Sequence, residues 1–279
     1  MVEPSNVAIG ATTSGLVGIV AASLPSSARV LIAADDFTSV TFPFLGIAAR
    51  GVTVIEVPLA DLIDSIDDSI DLVAVSSVQS ANGRVLDFKE LSRKAREFGA
   101  KVLIDTTQSC GWLPVDCSLF DYTVCSAYKW LLSPRGVAFM SVRPSLVEAL
   151  IPHGAGWYAG EDIWNSIYGS PLRLAKKARR LDTSPAWFSW VGAAAAIEFL
   201  ADMDIKEIYE HNVNLANLLL SELGLPPQDS AIITLDRPDA ELRLKAVGVR
   251  TAIRAGKVRA SFHIYNNEND VALAVNALA

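Results

Sequence analysis

The chain has 279 residues, with 24 Lys plus Arg against 31 Asp plus Glu, for a formal net charge of −7. That balance argues against a nucleic-acid partner, whose phosphates want a basic face, and a hydrophobic fraction of 51% is too high for a disordered chain. No apolar run reaches the ~18 residues of a membrane span.

In chain order, seven short apolar runs are predicted as strands. They lie at 7–10, 29–33, 53–57, 72–76, 101–105, 122–125 and 136–140. They are apolar throughout rather than alternating, which suits strands covered on both faces. The segments between them carry helical signals: Leu91, Ala95 and Phe98 recur at helical spacing and Gly99 follows as a stop. The pattern predicts an α/β protein with a mostly parallel seven-stranded sheet and helices on both faces. After Pro144 come an aromatic and glycine-rich loop over 152–170, a basic helix-like stretch over 173–180, and helices at 190–203 and 205–223. Pro226-Pro227 marks a break. Strands near 231–235, 250–254 and 259–265 and helices at 240–247 and 268–279 then predict a small C-terminal α+β unit. We divide the chain into a large domain, 1–200, and a small one, 201–279.

The N-terminus, Met1-Val2-Glu3-Pro4-Ser5, has no basic region ahead of an apolar stretch, so no signal peptide is expected. The three cysteines, Cys110, Cys117 and Cys125, form no CxxC and lie far from His153, His211 and His263. They read as small buried thiols rather than as a metal site, and their low, odd number fits a reducing cytoplasm.

In an open α/β sheet, ligands bind beyond the carboxyl ends of the strands. Thr12-Thr13-Ser14-Gly15 follows the first strand, Asp36 and Phe37 the second, and Gln79, Ser80, Asn82 and Gly83 the fourth. Asp105, Thr107 and Gln108 follow the fifth, and Ser126 and Lys129 the sixth. Singly, each has a plain reading. Thr12, Thr13 and Asp105 suit helix caps, and Lys129 suits a snorkelling side chain. Jointly they supply a helix N-terminus for an anion, a buried acid and a lysine in apolar surroundings. Those are the needs of pyridoxal phosphate: a phosphate site, a carboxylate for the ring nitrogen and an amine for the aldehyde. Neither GxGxxG nor GxxxxGK[ST] occurs.

The runs Asp105-Thr106-Thr107-Gln108-Ser109-Cys110-Gly111, Ser126-Ala127-Tyr128-Lys129-Trp130-Leu131 and Pro134-Arg135-Gly136-Val137 resemble those of the class V aminotransferases. So does Arg259-Ala260-Ser261-Phe262-His263-Ile264-Tyr265-Asn266-Asn267. These are fold-type-I pyridoxal phosphate enzymes, among them cysteine desulfurases, selenocysteine lyases, kynureninases and isopenicillin N epimerase-like proteins. The resemblance extends over essentially the whole chain. It implies Lys129 as the Schiff-base lysine, Asp105 on the pyridine nitrogen, and Gln108 and Ser80 near the phenolic oxygen, with Asn82 as an alternative to Ser80. It further implies Thr12, Thr13 and Ser126 on the phosphate, Phe37 stacked on the ring and Arg259 on the substrate carboxylate. Ser184 is implied to reach the phosphate of a partner subunit, in a homodimer with shared active sites. The aromatic loop with Trp157, Tyr158 and Trp164 is expected at the interface or the cleft.

Some positions differ from that pattern. Phe37 stands where desulfurases carry histidine, and Tyr128 where the family has histidine before the lysine. The region before Arg259, Arg254-Ala255-Gly256-Lys257-Val258, has no cysteine, which disfavours a desulfurase. Relatives are expected to carry about sixty further residues ahead of Thr12-Thr13. The expected function is an aminotransferase or carbon–sulfur lyase acting on a small amino acid, with an epimerase-like enzyme or a weakly active cofactor-binding protein as alternatives.

Overall fold

The computed structural model describes residues 2–279. Seven strands, β1 (Val7–Gly10), β2 (Arg29–Ala33), β3 (Thr53–Val57), β4 (Leu72–Ser76), β5 (Lys101–Asp105), β6 (Tyr122–Ser126) and β7 (Ala138–Val142), form one sheet. Their order is β1-β7-β6-β5-β4-β2-β3. The strands from β3 across to β6 pair in parallel, and β7 runs antiparallel to both neighbours. The sheet is therefore mostly parallel, as the apolar runs predict.

The lack of polar alternation has a direct cause. Successive side chains of a strand point to opposite faces, and each face carries its own core. Val30 and Ile32 of β2 pack with Leu16 and Val17 of α1 (Thr13–Ala22) and Val40 and Phe44 of α2 (Thr38–Leu45). Leu31 and Ala33 join Leu91 and Ala95 of α3 (Phe88–Phe98) on the other side. Asp87 caps α3 by accepting from the amides of Lys89 and Glu90, and Gly99 ends it in the left-handed conformation.

The chain continues through α4 (Trp187–Ala201), α5 (Ile205–Glu222), β8 (Ile232–Leu235), α6 (Ala240–Ala246), β9 (Ala252–Arg254), β10 (Lys257–Ser261) and α7 (Glu268–Leu278). The last three strands make an antiparallel sheet in the order β8-β10-β9. Leu215, Leu219, Ile233, Leu244, Val258 and Val271 give this α+β part a core of its own. Pro226-Pro227 lies in the loop between α5 and β8.

The basic stretch over 173–180 is not an α-helix. It runs beside 159–161: the amide of Ala175 donates to the Ala159 carbonyl, that of Glu161 to Arg173, and that of Lys176 to the Glu161 carboxylate. These partners take the groups a helix would use, and only Ala178–Leu181 winds into a 3₁₀ turn. β10 stops at Ser261 rather than continuing to 265, because the His263 amide turns to the Asn266 side chain and the Asn266 amide to the His263 carbonyl.

Candidate active site

Two cavities lie where the carboxyl ends of β1, β2, β4, β5 and β6 open. The first, of about 390 Å³, is lined by Thr12, Thr13, Phe37, Asp105, Ser126 and Arg135 with their neighbours. The second, of about 180 Å³, is lined by Gln108, Lys129, Trp130, Arg259, His263 and Tyr265 among others. Thr107 and Tyr128 line the first, and their chain neighbours Gln108 and Lys129 line the second, so the two share walls. A larger groove of about 720 Å³, beside His211 and Glu268, contains neither Asp105 nor Lys129.

The floor of the first cavity is a buried hydroxyl network. Thr13 Oγ1 lies 2.8 Å from Ser126 Oγ and 3.2 Å from Thr107 Oγ1, and the Thr13 amide donates to Ser126 Oγ at 3.1 Å. This joins the N-terminus of α1 to the end of β6. Thr12 caps α1 through the Gly15 amide, and Ser14 lines the same cavity. Thr107 donates to Asp105 Oδ1 from both its hydroxyl (2.5 Å) and its amide (2.8 Å). Both bonds fall on one oxygen, which leaves Oδ2 for the cavity. Burial pushes the Asp105 carboxyl up to about 6 despite those bonds, with nearby Asp36 adding to the rise and Lys129 opposing it.

Phe37 opens α2 on the opposite wall. Buried Asp36 holds that loop, accepting from the Phe37 amide at 2.6 Å and from the Ser76 amide of β4 at 2.7 Å. The Phe37 ring lies 4.9 Å from Lys129 Nζ. Burial lowers the Lys129 amine to about 8; Asp105 opposes this, and Arg259, Arg254 and Arg135 reinforce it.

In the second cavity Gln108 is held at both ends of its amide. Its Nε2 donates to Ser80 Oγ at 3.1 Å, and its Oε1 accepts from the Trp130 indole at 3.0 Å. Arg259 reaches across from β10 to the Ser80 carbonyl and hydroxyl, and its buried Nε has no protein partner among the described residues. Gly83 makes that reach possible. At φ 77°, with a Cβ position only 2.0 Å from the Ile232 carbonyl, no other residue lets the loop after β4 lie this close to β8. Asn82 is exposed and caps the Arg84 amide instead.

A row of rings runs into one wall of this cavity, which Trp130, His263 and Tyr265 line. Tyr209, Trp112, Trp130, His263 and Tyr265 follow one another at 6.1, 5.5, 5.2 and 5.1 Å between centroids. His263 Nε2 lies 3.0 Å from the Trp130 carbonyl. Each buried ring contributes about 1.5–3 kcal/mol, so the stack fastens the C-terminal part to the turn that carries Lys129.

Ser184 is exposed in the segment before α4 and lines neither cavity. Trp157 packs on Tyr158 and Trp164 within its own loop. Reading by strand ends misses Thr107 as the residue that positions Asp105, although its Asp-x-Thr spacing is a recognisable turn signal. It also assigns no role to Arg135, Trp130 or His263; the His263 contact with the Trp130 carbonyl spans 133 residues and leaves no local mark. Among the described residues, no group of three His, Cys, Asp or Glu side chains is placed to hold a metal ion, and no helix is long and apolar enough to cross a membrane.

The donors fit pyridoxal phosphate. A helix N-terminus and hydroxyls suit the phosphate, the free oxygen of a buried acid suits a ring N–H, and a desolvated amine suits the aldehyde. An α/β sheet with this set at its carboxyl edge defines a pyridoxal-phosphate-dependent enzyme. The family model described as Aminotransferase class-V matches residues 10–243, and the chain belongs to that family.

The uncharacterized aminotransferase YcbU of Bacillus subtilis is 27% identical, over 99% of this chain and 79% of its own length. Isopenicillin N epimerase of Streptomyces clavuligerus is 26% identical, over 72% of this chain and 56% of its own. The crystal structure of the Escherichia coli cysteine desulfurase CsdA matches with a TM-score of 0.85 at 22% identity, covering 99% of this chain and 78% of that one. The cystine C-S lyase C-DES matches at 0.87 and 20% identity, covering 99% and 82%. At these identities, the two structures speak for the fold.

Proposed function

We propose that this enzyme acts on the Cα proton and amino group of a small amino acid, with transamination as its main reaction and carbon–sulfur cleavage as the second reading. One observation carries this: a single desolvated amine, Lys129, lies between an acid-and-hydroxyl cavity and an arginine-walled one.

When bound, pyridoxal phosphate supplies an electron sink for negative charge at the substrate Cα. The protein's own groups do the rest. Thr12, Thr13, Ser126 and the start of α1 hold the phosphate. Asp105, through the oxygen Thr107 leaves open, keeps a proton on the ring nitrogen. Phe37 covers a ring face, and Gln108 and Ser80 sit by the phenolic oxygen. Arg259 grips the α-carboxylate. Lys129, whose amine burial lowers to about 8, takes the Cα proton.

Phe37 has no proton to give, so transfer at Cα falls to Lys129. This suits transamination, in which one amine can both take the proton from Cα and deliver it elsewhere on the same face. Cysteine desulfurase chemistry through a protein persulfide is disfavoured, since Cys110, Cys117 and Cys125 line neither cavity. Their free thiols fit a reducing cytoplasm. Ser184 reaches a partner's phosphate in a homodimer.

The test is a panel of amino acids added to holoenzyme, read by absorbance and by product. A keto acid supports transamination. Sulfide release moves the assignment to the lyase, and an inverted amino acid to an epimerase. No spectral change with any amino acid contradicts the proposal.

A further inference from the structure

Arg135 is absent from the roles assigned above, yet it faces the phosphate end of the first cavity. It lines that cavity with Thr12, Thr13, Ser14 and Ser126, and no other lysine or arginine does. Its guanidinium carbon lies 4.2 Å from the centroid of the Tyr128 ring. Among the described residues, no carboxylate pairs with it. A stacked guanidinium keeps its edge N–H groups free for an oxyanion.

The anion that belongs there lacks charge compensation. A phosphate monoester carries about −1.5 to −2 at neutral pH, whereas a helix N-terminus offers roughly +0.5. The hydroxyls are partly committed: those of Thr13 and Ser126 bond each other, and that of Thr12 caps Gly15. We propose that Arg135, oriented by stacking on Tyr128, is the cationic member of the cofactor-phosphate cradle. The proposal rests on pyridoxal phosphate occupying the first cavity. It gives Tyr128 a positioning role at a site where the family pattern has histidine.

The test compares two ligands that share ring and aldehyde but differ in the phosphate. Apoenzyme is titrated with pyridoxal phosphate and with pyridoxal, and binding is read by absorbance. In R135Q the Kd for pyridoxal phosphate should rise by roughly 10- to 100-fold, the range for hydrogen bonds to charged groups, with that for pyridoxal unchanged. R135K, which keeps the charge but loses the fork, should fall between, and Y128F should retain most of the affinity that Y128L loses. Salt should weaken pyridoxal phosphate binding less in R135Q than in the parent. Unchanged pyridoxal phosphate affinity in R135Q, or equal weakening of both ligands, overturns the proposal while the functional reading stands. A parent chain that binds neither ligand overturns both. A normal R135Q affinity with a raised KM only for acidic substrates would assign Arg135 to a distal carboxylate instead, and the phosphate role would fall.

Discussion

At the scale of single residues, the amine of Lys129 has the most direct consequence. A free lysine titrates near 10.4, and burial brings Lys129 to about 8. The apoenzyme should therefore capture pyridoxal phosphate at a rate that rises with pH and levels off with a midpoint near 8, as followed by absorbance between pH 6 and 10. A midpoint near 10.5 would mean that the amine is fully solvated. Lys129, Asp105 and Gln108 were legible in the sequence because each stands within a few residues of a strand end. Thr107 and Tyr128 were noted by position but given no role at the site, and Arg135 and His263 were given none either. Their significance lies in contacts: His263 meets Trp130 across 133 residues, and no local spacing encodes that. Ser80 was legible by its place after the fourth strand and its role only through the resemblance, and its bond to Arg259 depends on Gly83 abutting Ile232.

At the scale of elements, β1 is held by Asp182, which accepts the Ile9 amide at 2.8 Å. Burial pushes this carboxyl up to about 7, with the Ile9 amide and then Arg179 only partly opposing. The folded value lies above the unfolded one of 3.8, so the native state favours the protonated acid. Its contribution to stability is full below about pH 4 and is lost as pH rises through about 7. D182N keeps the acceptor oxygen and removes the charge. It should raise the Tm of the apoenzyme at pH 8 by about 2–4 °C or more and flatten the fall between pH 4 and 7. An unchanged difference between the two proteins across that range would contradict this. The strands were legible because residues 30–33 of β2 and 72–75 of β4 enter one core or the other in turn, so no polar face interrupts the run. The 173–180 stretch was misread because its backbone partners come from 159–161, which composition does not reveal.

At the scale of the whole molecule, α4 is apolar around its circumference, with Glu198 its only charged residue. Phe188 is 95% and Trp187 71% exposed at its start, and Val191 and Phe199 are exposed further along. Such a helix belongs inside an assembly. The enzyme should sediment as a dimer, and F188D should shift it toward half that mass while leaving far-UV circular dichroism unchanged. A monomeric parent would contradict the shared active site. The sheet and the C-terminal α+β part were both legible in outline, since hydrophobic period sets them locally. The meeting of Arg259 with Ser80, 179 residues away, arises only from tertiary docking. The central claim is that Lys129 carries the cofactor between the two cavities. Holoenzyme reduced with borohydride, digested and mapped by mass spectrometry should bear one pyridoxyl group, on the peptide containing Lys129. Label on another lysine, or none at all, would contradict it.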